Sequence, residues 1–345
     1  MRIGTIRWDA YYETKEPKSP SSQVARALSP QEYHHIAPFF AKVTTKGDIK
    51  FDEYTLDIWE KEADYAIDAG IDYFAYCWYR DNDLLSTARK HHVQSEKHDN
   101  IKMCAILGVN PMDNITMQQL YSAMKEEYYI KNESGNPLVY VYGGFNSLDK
   151  DGVAHLRQEA REAGVEKSLF VSVMMPILDL EKCEKIKVCG YDAVSFYSNV
   201  PISPAMQYEE FAHSTELRNE TVSKYCKNLQ LKIIPSFNAG MATKPRLDHP
   251  VSWASGYGGN FTTWGTPTQI AAHAENVINW AKEHSKLVGV DFVISYAWNE
   301  HDEGGWLCPT LTTDENGTPI LDDNGVPKAD TSILDAVKKV LQKVK

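Results

Sequence analysis

The chain has 345 residues, 43% hydrophobic and 24% charged, the composition of an ordinary globular protein. A net charge of −11 argues against nucleic acid as a partner, because phosphate binding needs a basic surface. No apolar run approaches a membrane span. The start, "MRIGTIRWDAYY", lacks the basic region and apolar core of a secretory leader, which leaves the compartment open: periplasmic or secreted if a leader has been trimmed.

Taken in chain order, eight short runs rich in branched and aromatic residues read as buried parallel strands. They are 3–11, 71–79, 101–109, 137–144, 168–175, 192–199, 231–238 and 290–299. Helices are predicted between and after them at 52–70, 116–130, 151–164, 179–189, 208–228, 268–284 and 331–343. The first places Leu56, Trp59, Ala63, Ala66 and Ile67 on one face and ends on a glycine. Eight strands alternating with helices along the chain is the pattern of an α/β fold of (β/α)8 TIM-barrel type, one catalytic domain over 1–345. The doubly wound sheet is the competitor, but no G-x-G-x-x-G follows the first strand.

Three βα loops are long, 12–51, 239–267 and 300–330, and in a barrel such loops carry function at the C-terminal face. The third contains two acid-Asn-Gly turns in "DENGTPILDDNGVP", read as surface hairpin turns, with calcium binding as the alternative. Neither a metal nor a cofactor is expected. Cys77, Cys104, Cys183, Cys189, Cys226 and Cys308 form no C-x-x-C pair and read as buried free thiols, and the three histidines of 90–100 fall at the bottom of the barrel. The 8 Trp and 19 Tyr are generous for this length, so many rings are expected at the edges of a site.

The stretch "YAWNEHDEGGW" (296–306) sets three acids, a histidine and two tryptophans at the end of the eighth strand. Glycosidic cleavage commonly needs two carboxyl groups flanking the scissile bond. Glu300 and Glu303, three apart on a turning segment, can face one cavity, where burial and mutual repulsion would raise one pKa. Asp302 is expected outward, bonded to turn amides. Binding candidates gather at other strand ends and loops: Trp8 and Asp9 towards the end of strand one, Trp78 and Arg80 at the end of strand two, Asn238 at the end of strand seven and Arg246 in the loop beyond it. Trp253, Tyr257 and Trp264 follow on the glycine-rich loop, with Trp298, His301 and Trp306 around the glutamates. For Asp9 the alternative is a loop-anchoring carboxylate, and for Arg246 a clamp on the glutamates by charge.

"AWNEHDEGGWLCP" resembles the W-N-E-W-x-E-G...P signature of glycoside hydrolase family 99 and the related WbsX-like domains. "IIPSFNAGMATKPR" (233–246) is similar to their P-x-x-x-x-W-D-N-T-P-R segment, and "AGIDYFAYCWYRDNDLL" (69–85) to their second strand. The resemblance implies a retaining glycosidase acting on α-linked, mannose-type sugars of a poly- or oligosaccharide. It implies Glu300 as the base that deprotonates the sugar's own 2-hydroxyl, and Glu303 as acid and then base. This sequence departs from the pattern at His301, where the family has tryptophan, at Cys308, and in lacking the W-D of the seventh-strand segment. The rival reading is a carbohydrate-binding or glycan-assembly protein on the same barrel.

Overall fold

The computed structural model describes residues 1–108, 113–144, 151–254, 256–288 and 291–344. Val109 and Val290, at the ends of two predicted strands, lie outside the described residues, as does the Tyr257 side chain. Seven of the expected runs form single strands: Arg2–Arg7, Tyr73–Cys77, Lys102–Leu107, Leu138–Tyr142, Phe170–Met174, Ala193–Ser195 and Phe292–Tyr296. These are barrel strands one to six and eight. Strand seven comes in two pieces, Lys232–Ile233 and Ser236–Asn238. Every pairing in this sheet is parallel. The two pieces of strand seven occupy opposite ends of the sheet order, so they close the ring: one pairs with strand six and the other with strand eight.

Pro235 sits at the break. It has no amide proton to offer a ladder, and the chain changes partner there. The Ile234 amide donates to the Val194 carbonyl at 2.8 Å, whereas the Pro235 carbonyl accepts from the Ile294 amide at 3.1 Å.

The helices in chain order are α1 (Pro20–Leu28), α2 (Leu56–Ala69), α3 (Thr87–Gln94), α4 (Asn114–Lys125), α5 (Gly152–Glu162), α6 (Leu180–Val188), α7 (Tyr208–Leu229), α8 (Lys244–Asp248), α9 (Pro267–Glu283), α10 (Ser285–Val288) and α11 (Ser332–Val344). Helix α2 shows how sequence sets an element. The Thr55 side chain caps its start by accepting from the Ile58 amide, Trp59, Ala63 and Ala66 are buried, and Gly70 ends it at φ 87°. Among the described residues no helix is long and apolar enough to cross a membrane.

Part of the aromatic surplus lies in the core and not at the edge of a site. Trp59, Trp78, Trp298, Phe74 and Tyr76 are fully buried. Tyr76 bonds the Trp59 indole and His92, each at 3.1 Å, so these rings fill the layer between the barrel and its helices. All six cysteines are buried. In the 314–325 region the Asp314 and Asp322 carboxylates accept backbone amides at 2.8–2.9 Å, as hairpin turns require.

Candidate active site

The segment after strand eight doubles back as a tight hairpin. Asn299 pairs with Trp306 and Glu300 with Gly305, and a short 3-10 turn, His301–Glu303, lies between. Glycines bring this hairpin against the loop after strand seven. A Cβ on Gly240 would collide with the Gly304 carbonyl oxygen, and Gly304 itself adopts φ 71° with Ala242 packed on it. Side chains at either position would push the acidic turn off the loop that carries α8.

Helix α8 supplies Arg246, which is 3% exposed. Its guanidinium meets three carboxylates. Asp302 takes Nε at 2.6 Å and Nη2 at 3.1 Å, Glu303 takes Nη1, and Glu300 Oε2 lies 3.5 Å from Nη2. The Tyr296 hydroxyl donates to the other oxygen of Glu303, and the Tyr197 hydroxyl donates to Glu300 Oε1 at 3.1 Å. Around them is a cleft of about 410 Å³ whose lining includes Trp8, Cys77, Tyr79, Tyr142, Tyr197, Arg246, Trp253, Glu300 and Glu303. Trp8 and Trp253 meet edge to face at 5.4 Å, and the Arg246 guanidinium lies 5.7 Å from each of those rings.

One cation against three acids leaves this corner net negative. Burial is the largest influence on Glu300 and pushes its carboxyl up to about 7. Arg246 and the Tyr197 hydrogen bond oppose the rise, while Asp302 and Asp9 add to it. Such a group exchanges a proton near neutrality. Glu303 lies at the cleft surface with a side chain 12% exposed.

The structure brings Glu300, Glu303, Trp8, Arg246 and Trp253 around this one cleft. Other residues that the sequence puts forward lie elsewhere, for identifiable reasons. Trp78 is fully buried with the Arg89 guanidinium 4.0 Å over its ring, because alternation on strand two sends Cys77 and Tyr79 to the cleft and Trp78 to the helices. Arg80 is half-exposed and ion-paired with Asp113. Trp298 is buried, its indole N–H on Glu62 of α2 at 2.9 Å. Asp9 is the anchoring carboxylate of the alternative reading, buried against Arg7 at 2.7 Å and Asn299 at 3.0 Å, and burial lifts it to about 6.

His301 is fully buried, one ring nitrogen 2.8 Å from the Ile36 carbonyl, and burial holds its pKa down at about 3. Its ring stacks on Trp306, which meets Trp264 edge to face at 5.7 Å, so these rings form a separate ladder off the cleft lining. Asn238 is buried beside Tyr296 in the sheet register, and among the described residues neither polar atom of its side chain has a hydrogen-bond partner. Asp302 overturns its expectation: it is fully buried and grips Arg246 through both oxygens, because a guanidinium needs a bidentate partner to hold its fork in place. Tyr142 and Tyr197 line the cleft without having stood out in the sequence, although each lies near the C-terminal end of a predicted strand.

The fold and the cleft together define a (β/α)8 barrel with a paired-acid, aromatic-walled cavity at its C-terminal face. The same overall fold is found in two structures of the GH99 endo-alpha-mannosidase from Bacteroides thetaiotaomicron, one of them in complex with bis-tris-propane. They match with TM-scores of 0.62 and 0.61 at 13% sequence identity, over 99% of this chain and 97% of theirs. No family model and no curated protein matches the sequence.

Proposed function

We propose that this chain is a retaining glycoside hydrolase that cleaves α-linked, mannose-type bonds in a poly- or oligosaccharide. The observation that carries the reading is the pair Glu300 and Glu303, held on neighbouring nitrogens of one guanidinium inside an aromatic-walled cleft. A shared guanidinium keeps the two carboxyl groups close, as retaining chemistry needs, whereas an inverting pair leaves room for a water between carboxyl and sugar. The shared fold with proteins named as endo-alpha-mannosidases supports the substrate class.

In this mechanism Glu300 takes the proton of the sugar's 2-hydroxyl, and that oxygen attacks the anomeric carbon. The bond to the leaving oxygen breaks as Glu303 gives that oxygen a proton. An anhydro sugar results. Glu303 then takes a proton from water, the water oxygen attacks the anomeric carbon, and the 2-oxygen leaves and recovers a proton from Glu300. Trp8, Trp253, Tyr79 and Tyr142 offer apolar faces for the sugar rings. Arg246 restrains both glutamates between steps.

Product analysis against a panel of α-mannans and other polysaccharides tests this, with Glu303→Gln as control. Cleavage by the native chain and none by the variant is expected. Glycans that bind without being cut would make the chain a carbohydrate-binding protein instead.

A further inference from the structure

Behind the cleft lies a buried charge cluster that takes no part in the chemistry above. Its centre is Glu62, on the inward face of α2 and 1% exposed. Glu62 Oε2 accepts from Arg7 Nη2 at 2.6 Å and from the Tyr54 hydroxyl. Its other oxygen, Oε1, accepts from the Trp298 indole at 2.9 Å and from the Cys308 thiol at 3.3 Å.

Those two donors are the stems of the hairpin that carries Glu300 and Glu303. The amides of Leu307 and Cys308 both close onto the Trp298 carbonyl, at 3.0 and 2.8 Å. One carboxylate oxygen on a barrel helix therefore holds both ends of the catalytic segment. A second arm runs from Arg7 to Asp9 at 2.7 Å, from Asp9 to the Asn299 amide at 3.0 Å, and from Asn299 to the Trp8 backbone at 2.9 Å.

We propose that Glu62 is a positioning residue: it clamps both stems of the 298–308 hairpin to α2 and so fixes where Glu300 and Glu303 stand in the cleft. The role rests on the glycosidase reading. Stability alone gives little reason for the arrangement, since buried ion pairs are often no more stabilising than apolar residues of the same volume. Placement does give a reason. Hydrogen bonds to a charged acceptor are roughly twice as strong as neutral ones, and a misplacement of about 1 Å at a reacting group costs on the order of a hundredfold in rate.

Trp298→Phe and Cys308→Ala each remove one clamp bond and leave Arg7, Asp9 and Glu62 in place, and Cys308→Ser keeps a donor. On a cleaved glycan, Trp298→Phe and Cys308→Ala are expected to lower kcat about tenfold or more, with KM within about threefold. Cys308→Ser should recover most of kcat. Hydrogen exchange of the 299–307 amides should rise in Trp298→Phe and Cys308→Ala while the barrel strands stay protected. Unchanged kcat in both, a Ser variant as slow as the Ala variant, or unchanged exchange in the hairpin overturns the clamp. If the native chain cleaves no glycan, the glycosidase reading fails, and the exchange measurement still decides whether Glu62 holds the hairpin.

Discussion

Glu300→Gln should make the protein more stable and inactive at once, and the stability gain should grow with pH. The native carboxyl titrates at about 7 in the fold against 4.5 ordinarily. Because the folded value is the higher one, this group's contribution to stability is full below pH 4.5 and is lost as the pH rises through 7. Ionising it in the fold costs on the order of 3 kcal/mol by pH 8, against about 1 kcal/mol at pH 5. Glutamine keeps the shape and avoids the charge, while Arg246 retains Asp302 and Glu303 as partners. With an unfolding entropy near 2.1 cal/mol/K per residue over 345 residues, 3 kcal/mol corresponds to about 4 °C in Tm. Thermal unfolding of both proteins at pH 5 and pH 8 reads the effect, alongside a rate loss of roughly a hundredfold or more for the variant. A Tm difference that is the same at both pH values, or that shrinks at pH 8, refutes the placement of a costly buried charge at Glu300.

Other expectations follow from the same geometry. The rate should fall as the pH drops through about 7, because Glu300 must be ionised to act as a base, and a pH–rate profile flat from 8 to 5 would contradict that. Arg246→Met strips the cation from three acids and should cost about 3–5 kcal/mol in denaturant unfolding as well as activity, since it leaves buried charge uncompensated. Gly240→Ala should cost about 1–3 kcal/mol by forcing the hairpin away from the loop, measured by urea midpoint. Trp253→Ala, at a ring 41% exposed on the cleft, should leave Tm nearly unchanged and raise KM about tenfold for a glycan substrate.

The eight-stranded barrel was legible because parallel strands buried on both faces read as continuous apolar runs, and even the break in strand seven had its mark in Pro235. Which side of a strand a residue faces was not legible. In "FAYCWY" every position is apolar or aromatic, so no alternation separates Cys77 and Tyr79 in the cleft from Trp78 on the helix side. The same blindness misplaced Trp298. Glu300, Glu303 and Arg246 could be brought together from strand ends and motif. Asp302 could not, because an acid in a turn between two other acids reads as a solvated side chain, whereas it is buried on Arg246. Glu62 did carry a signal, an acid on the same helix face as Trp59, Ala63 and Ala66, but a single charge there also reads as a long side chain reaching for solvent.

The most direct test of the central claim is the anomeric configuration of the first product. Proton NMR of the native chain acting on an α-mannan should show the α anomer of the newly formed reducing end appearing first and relaxing to the equilibrium mixture. Glu300→Gln and Glu303→Gln should give no product signal on that timescale. A β anomer appearing first, or undiminished product from either variant, would contradict a retaining mechanism run by this pair of glutamates.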